Sequence, residues 1–272
     1  MTGIKDFEDP RLAPYARLKE NQLLHYYEPQ PGLFIAESAK VIRRAIAAGY
    51  EPVSFLMEER IYRSDAADLT RQFPQTDLYL IEHEAMTQLR GYELTGGFLC
   101  AMKRKRLPAV SEICREAKMV AVLERVMNPT NLGAIFRSAA AMFVDALVLS
   151  PGCTDPLYRR AARVSMGTVF QVPWTVFPGD MEKWEKDATQ LFREMGFTTI
   201  ALALREDAVS LDCLSLPPSA RLAVFLGSEG DGLSAASIAQ CDHTVMIPMS
   251  HGVDSLNVAA ASAVAFWQLA KG

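Results

Sequence analysis

The chain is 272 residues long, half of them hydrophobic and 22% charged, with a net charge of −4. This length suits two domains, each large enough to bury a core, and the composition excludes a disordered or fibrous chain. Residues 1–106 carry 15 basic and 15 acidic side chains and the remainder 13 and 17, which excludes a broad basic nucleic-acid footprint and leaves room only for a local patch.

No apolar leader follows Met1, and the longest apolar run, 255–270, has 16 residues and contains Asn257 and Gln268. A membrane span needs ~20 apolar residues, so neither a signal peptide nor a membrane segment is expected. Cysteines at 100, 114, 153, 213 and 241 are odd in number and lack metal-ligand spacing, so reduced thiols and a cytoplasmic location are expected. The four histidines (His25, His83, His243 and His251) form no ligand pattern, and no bound metal is expected.

In chain order, residues 11–28 predict a helix with Leu12, Tyr15, Leu18 and Leu23 on one side. Segment 32–36 predicts a strand. Segment 37–48 predicts a helix with Val41, Ile42, Ala45 and Ile46 inward, stopped by Gly49. Strands follow at 53–57, 78–81 and 98–101, and the alternation suggests βαβ units. The run Lys103-Arg104-Lys105-Arg106-Leu107-Pro108 closes a first domain, 1–106, and opens a linker, 107–118, with a short helix at 111–116. The charge run reads as a solvated tether or as a strip that touches nucleic acid.

From 119 to 272 the alternation is clearer. Strands are expected at 119–123, 146–150, 198–204, 222–226 and 244–247. They are continuous apolar runs, which indicates a parallel sheet covered on both faces. Helices are expected at 132–142, 157–163, 181–195, 235–240 and 256–270.

Three glycine-bearing or polar segments in this domain each follow a strand and open a helix, so they fall on one edge of a parallel sheet and can share a ligand. The first is Asn131-Leu132-Gly133-Ala134-Ile135-Phe136-Arg137. Arg137 is the only charge between Val126 and Val144. A guanidinium offers a fixed fork of donors suited to a phosphate or a developing oxyanion, although it also snorkels to solvent. Asn131 suits a helix N-cap or an amide aimed at a ligand. The second is Leu226-Gly227-Ser228-Glu229-Gly230-Asp231-Gly232. It is neither a phosphate-cradling P-loop nor a dinucleotide fingerprint, and Glu229 is placed to hold the turn or a substrate hydroxyl. The third runs from Ile247-Pro248-Met249 to Asp254-Ser255-Leu256-Asn257-Val258, with Ser255 as expected N-cap of the last helix and free N–H groups behind it. Two basic clusters, Arg43 with Arg44 and Arg159 with Arg160 and Arg163, read as solvated faces or, with RNA as partner, as phosphate contacts. No catalytic role is assigned to His251 or Asp254.

These segments resemble the signature motifs of the SpoU/TrmH branch of the SPOUT superfamily of RNA methyltransferases. The resemblance runs through Asn128-Pro129-Thr130-Asn131-Leu132-Gly133 with Arg137, Arg163-Val164-Ser165-Met166-Gly167, Leu226-Gly227-Ser228-Glu229-Gly230 with Gly232-Leu233, Ile247-Pro248-Met249 and Ser255-Leu256-Asn257-Val258. It covers about 150 residues. Asn128 stands where an aspartate is usual and Ser228 where an asparagine is common. The N-terminal part resembles, more loosely, the ribosomal-protein-like substrate-binding domain that often precedes the catalytic one.

The resemblance implies an α/β fold: a parallel-sheet catalytic domain ending in a deep trefoil knot, a rare exception to ordinary chain threading, after a small α/β RNA-binding domain. It implies a homodimer that takes S-adenosylmethionine against Leu226, Gly227, Ile247, Met249, Ser255 and Leu256. It further implies methyl transfer to the ribose 2′-hydroxyl of ribosomal or transfer RNA, with Arg137, Asn131, Glu229, Ser255 and Asn257 around the reacting groups. A base methyltransferase of the same superfamily and a catalytically inactive RNA-binding module are the alternatives. A nucleotide-dependent oxidoreductase is disfavoured by the missing dinucleotide loop.

Overall fold

A computed structural model describes residues 2–4, 6, 8–64, 66–88, 97–251, 253 and 255–270. The chain divides into two units, one of Met1–Arg106 with Leu157–Gln171 and one of Leu107–Pro156 with Val172–Gly272. Among the described residues no helix is long and apolar enough to cross a membrane.

The first unit holds strands β1 (Thr2–Ile4), β2 (Leu33–Glu37), β3 (Pro52–Glu58), β4 (Asp77–Ile81) and β5 (Phe98–Lys103) in the order β1-β4-β3-β5-β2. β1, β4 and β3 run parallel, and β5 is antiparallel to both β3 and β2. Helices α1 (Ala13–Ala16), α2 (Glu20–Leu24), α3 (Ala39–Ala47), α4 (Glu59–Ser64), α5 (Ala67–Gln72) and α6 (His83–Gln88) connect them. The single helix expected over 11–28 is broken. Gln22 turns back so that its Oε1 accepts from the Lys19 N–H at 2.8 Å, and a fresh helix starts at Glu20. α3 buries Val41, Ile42 and Ala45 as its periodicity requires.

Ser38, the N-cap of α3, has φ 81° and ψ 148° and makes no side-chain capping bond. A non-glycine residue held there costs on the order of 1–3 kcal/mol. Ser38→Gly is therefore expected to stabilise this unit by about 1 kcal/mol after the entropic cost of glycine, a rise of a few degrees in its calorimetric unfolding midpoint. An unchanged or lower midpoint would show that the serine hydroxyl offsets the strain.

The second unit opens with α7 (Val110–Ile113). The remaining strands are β6 (Met119–Leu123), β7 (Ala146–Leu149), β8 (Trp174–Val176), β9 (Phe197–Leu202), β10 (Val209–Ser210), β11 (Arg221–Leu226) and β12 (His243–Met246), in the order β10-β12-β9-β11-β6-β7-β8. Every pairing is parallel. The remaining helices are α8 (Pro129–Ala141), α9 (Arg159–Val164), α10 (Met181–Glu194), α11 (Ala235–Gln240) and α12 (Val258–Leu269). One face of the sheet is covered by Trp184, Phe192, Phe177 and their neighbours, with Trp184 and Phe192 at 6.4 and 5.8 Å from Phe225. The sequence pattern missed the short strands β1, β8 and β10, which are too brief to show a period.

Two further expectations are corrected. Residues 107–118 are not a tether. Val110, Cys114 and Ala117 are buried in the second core, and the Arg221 guanidinium donates to the carbonyls of Ala117, Met195 and Cys114 at 2.8, 2.7 and 2.5 Å. The preceding charge run is also engaged. Lys103 pairs with Glu51 at 2.9 Å, Arg104 Nε donates to Leu33 O at 3.0 Å, and Lys105 Nζ donates to Ala48 O at 2.6 Å. The second correction concerns α9. It lies between β7 and β8 in sequence, yet its segment belongs to the first unit and packs against β2.

Candidate functional site

The site residues lie where strands β6, β11 and β12 end. α8 starts three residues earlier than expected. Pro129 occupies its first turn, and Asn128, not Asn131, is the N-cap, accepting from the Thr130 N–H at 2.8 Å. Proline is favoured at the first helical position because its φ is already helical and its missing N–H is not needed. The last helix starts two residues later than expected. Asn257, not Ser255, caps α12, with Oδ1 accepting from the Ala259 N–H at 3.0 Å. The first correction releases the Asn131 side chain for other work.

Asn131, freed from capping, joins Asn257 to Glu229. Asn257 Nδ2 donates to Asn131 Oδ1 at 3.0 Å, and Asn131 Nδ2 donates to Glu229 Oε1. The three residues are 98 and 126 positions apart in sequence. With the Ala259 N–H bond they form one chain of aligned donors that ends on a carboxylate, an arrangement in which each bond polarises the next.

Glu229 also lines a cavity of about 310 Å³. Its walls include all six residues expected to hold a cofactor: Leu226, Gly227, Ile247, Met249, Ser255 and Leu256. The second and third motif segments thus wall one cavity, and the first reaches it through the bond from Asn131 to Glu229. Leu202, Ala203 and Leu204, at the end of β9, line it as well. Sequence reasoning missed them because they carry no glycine or polar signal and read as plain strand. Asp254 lies outside the described residues.

Gly227 is required by close approach. A Cβ there would fall 2.0 Å from Gly232 C and 2.1 Å from Leu233 N. The loop folds back on itself, with Ser228 N donating to Gly232 O at 3.1 Å.

Arg137 is exposed on α8, six residues beyond Asn131, a rise of about 9 Å. Leu132, Ile135, Phe136 and Ala139 bury the opposite side of that helix. No hydrogen bond or ion pair ties Arg137 to a described residue, so its guanidinium has not been drawn into the Asn257–Asn131–Glu229 chain.

Both basic clusters fall in the first unit. Glu37 is only 3% exposed and lies 3.6 Å from Arg159 Nε and 3.3 Å from Arg163 Nη1. Arg43 pairs with Asp68 at 2.6 Å, and Arg44 Nη1 donates to Met166 O at 2.8 Å. Arg160 is exposed and, among the described residues, is the one of these five arginines without such a partner.

A wholly parallel sheet with a ligand-sized cavity at its strand ends, walled by loop backbone and apolar side chains, defines an α/β protein built to bind a small organic group there. Residues 118–267 match the SpoU rRNA Methylase family, and the chain belongs to it. It is 36% identical over 266 residues, 97% of this chain and 90% of the relative, to an uncharacterized tRNA/rRNA methyltransferase of Mycobacterium bovis. It is 29% identical over 153 residues, 56% of this chain and 58% of the relative, to a 23S rRNA (guanosine(2553)-2′-O)-methyltransferase of Bacillus subtilis. Its fold matches a crystal structure of AdoMet-bound rRNA methyltransferase from Sinorhizobium meliloti with a TM-score of 0.82, at 20% identity and with 99% of this chain and 97% of that one covered.

Proposed function

We propose that this protein transfers a methyl group from S-adenosylmethionine to the ribose 2′-hydroxyl of a structured ribosomal or transfer RNA. The observation that carries the reading is the Asn257–Asn131–Glu229 chain, which ties the first motif segment to a cavity walled by the second and third. The residues present fit the methyl donor. The volume lies in the range of small-ligand pockets. Leu202, Leu226, Ile247 and Leu256 offer an apolar wall to a flat base, and Ser228, Glu229 and Asp231 offer polar groups to a ribose and an amino-acid end. S-adenosylmethionine, when bound, supplies a methyl group on a positively charged sulfur.

The task of the chain is to make a hydroxyl attack. A ribose hydroxyl is a weak acid, so its proton has to be drawn off and the oxygen stabilised as charge develops. Glu229 accepts from Asn131 through Oε1, which leaves Oε2 to take a hydroxyl proton. Arg137 brings a permanent positive charge with a fork of donors for the neighbouring phosphate and the developing alkoxide. Asn257 holds Asn131 in place, and Ser255 lines the cavity two residues before Asn257, where it would meet the bound methyl donor.

The remaining parts of the reading follow from the same family. The last ~50 residues form a trefoil knot; in support, α12 packs on α8, the helix that follows β6, although β12 stands three places from β6 in the sheet. The protein is a homodimer; in support, α12 is apolar on all sides, a pattern of buried helices, yet Val264 and Trp267 are 44% and 53% exposed. The first unit binds the RNA substrate, with Arg160 and the outer edges of Arg43, Arg44, Arg159 and Arg163 as phosphate contacts. The protein works in the cytoplasm, where its five free thiols stay reduced.

Incubation with tritiated S-adenosylmethionine and unmodified total RNA is expected to label RNA at one nucleotide. Alkaline hydrolysis of that RNA should leave a single resistant linkage, because a methylated 2′-oxygen cannot attack its phosphate. Label without a resistant linkage would mean base methylation. No label despite bound S-adenosylmethionine would mean an inactive RNA-binding protein.

A further inference from the structure

Glu124 stands outside every role assigned above. It follows β6 directly, and its side chain is fully buried. A carboxylate removed from water needs its lone pairs satisfied, and three donors do this. Oε2 accepts from Trp184 Nε1 at 2.8 Å and from Ser237 Oγ at 2.5 Å, and Oε1 accepts from the backbone N–H of Ser234 at 2.8 Å. The backbone N–H of Glu124 itself donates to Leu226 O at 2.8 Å.

Leu226 and Ser234 are the residues on either side of loop 227–233, which carries Glu229 and Gly227. One residue therefore holds both ends of that loop, the first end through its main chain and the second through its carboxylate. The two oxygens divide the work. Oε2 is fixed by a rigid partner, since Trp184 packs against Phe177 and Phe225 with ring centroids at 5.4 and 6.4 Å. Oε1 then presents an acceptor at a set place for the Ser234 N–H.

We infer that Glu124 is the positioning residue of the cofactor pocket: its buried carboxylate fixes where loop 227–233 closes and, through it, where Glu229 stands. The inference rests on reading the cavity as the S-adenosylmethionine site. Glu124→Gln keeps the shape but turns an NH2 group toward donors, so one end of the clamp loses its acceptor. Calorimetric titration of the intact protein with S-adenosylmethionine is expected to show a Kd raised by about tenfold or more. Hydrogen exchange should quicken over 227–234 and stay unchanged on β7 and β9. Trp184→Phe removes the donor that fixes Oε2 but leaves the Ser234 bond, so it should lower the unfolding midpoint and raise Kd by less than Glu124→Gln does. If Glu124→Gln fails to fold, Glu124→Asp retains the charge with a shorter reach and should show the same rise in Kd.

Wild-type Kd and wild-type exchange over 227–234 in the folded Glu124 variant would overturn the inference, leaving the carboxylate as a core acceptor only. Gly227→Ala, titrated alongside, separates the two possible failures. If it also binds with full affinity, the reading of the cavity is wrong. If it loses affinity while the Glu124 variant does not, only the role of Glu124 falls.

Discussion

Replacing Arg137 with alanine is expected to slow methyl transfer by about a hundred- to a thousandfold while leaving S-adenosylmethionine affinity unchanged. The two halves of this expectation have separate structural grounds. Arg137 does not line the cavity, so its loss removes nothing the methyl donor touches. Its guanidinium is exposed and makes no bond that holds α8 together, so the helix, with Leu132, Ile135 and Phe136 fully buried on its other side, keeps its place. What disappears is the one positive charge carried by that helix. Its phosphate contact is with the RNA and not with the methyl donor, and a charge that meets the alkoxide as it forms lowers the barrier without tightening the donor's binding. Arg137→Lys should fall between the two, since it restores the charge but not the fork of donors. Single-turnover transfer with saturating RNA and calorimetric titration with the methyl donor measure the two quantities independently. A near-normal rate in Arg137→Ala would remove the guanidinium from the chemistry and leave Glu229 as the main polar group acting on the hydroxyl.

Much of the second unit was legible before its coordinates. β6 and α11 fall on the expected residues, and the parallel sheet follows from strands that are apolar throughout rather than at alternate positions. The helix starts were not. Asn131 and Ser255 are good capping residues, but so are Asn128 and Asn257, and propensity ranks them almost equally. Pro129 carried the information needed for the first, because the residue before a proline at the first helical position is the natural cap. Nothing comparable marks the second. The error mattered for function: a residue used as a cap is not available to a neighbour, and the Asn257–Asn131–Glu229 chain exists because Asn131 is free.

The least legible features are those in which a charge far away in sequence decides the partner. Segment 157–163 reads locally as a helix of the catalytic domain, yet Arg159 and Arg163 are drawn to Glu37, more than 120 positions earlier. Burying Glu37 without them would leave an uncompensated charge, a cost of several kcal/mol, and no local period reports such a pairing. Glu124 is the same case. In the sequence it is a single acid after an apolar strand, and only the fold brings Trp184, Ser234 and Ser237 to it.

Gly227→Ala is expected to weaken S-adenosylmethionine binding up to about a hundredfold, a larger effect than one methyl group at a cavity wall would suggest. The reason lies inside the loop rather than in the ligand. The added Cβ would sit 2.0 Å from Gly232 C and 2.1 Å from Leu233 N, both backbone atoms that no rotamer change can move aside. The loop therefore has to open by more than an ångström, at a cost typical of overpacked sites, about 1–3 kcal/mol. Opening breaks the Ser228 N to Gly232 O bond and shifts Glu229 away from Asn131. Affinity and turnover should thus fall together in this variant, whereas Arg137→Ala separates them. The sheet beneath is untouched, since β11 keeps its registers with β6 and β9 up to Leu226, so the unfolding midpoint of the second unit should drop by no more than a few degrees. Wild-type affinity in a folded Gly227→Ala protein would mean that the methyl donor does not depend on this turn and that the cavity beside it serves something else.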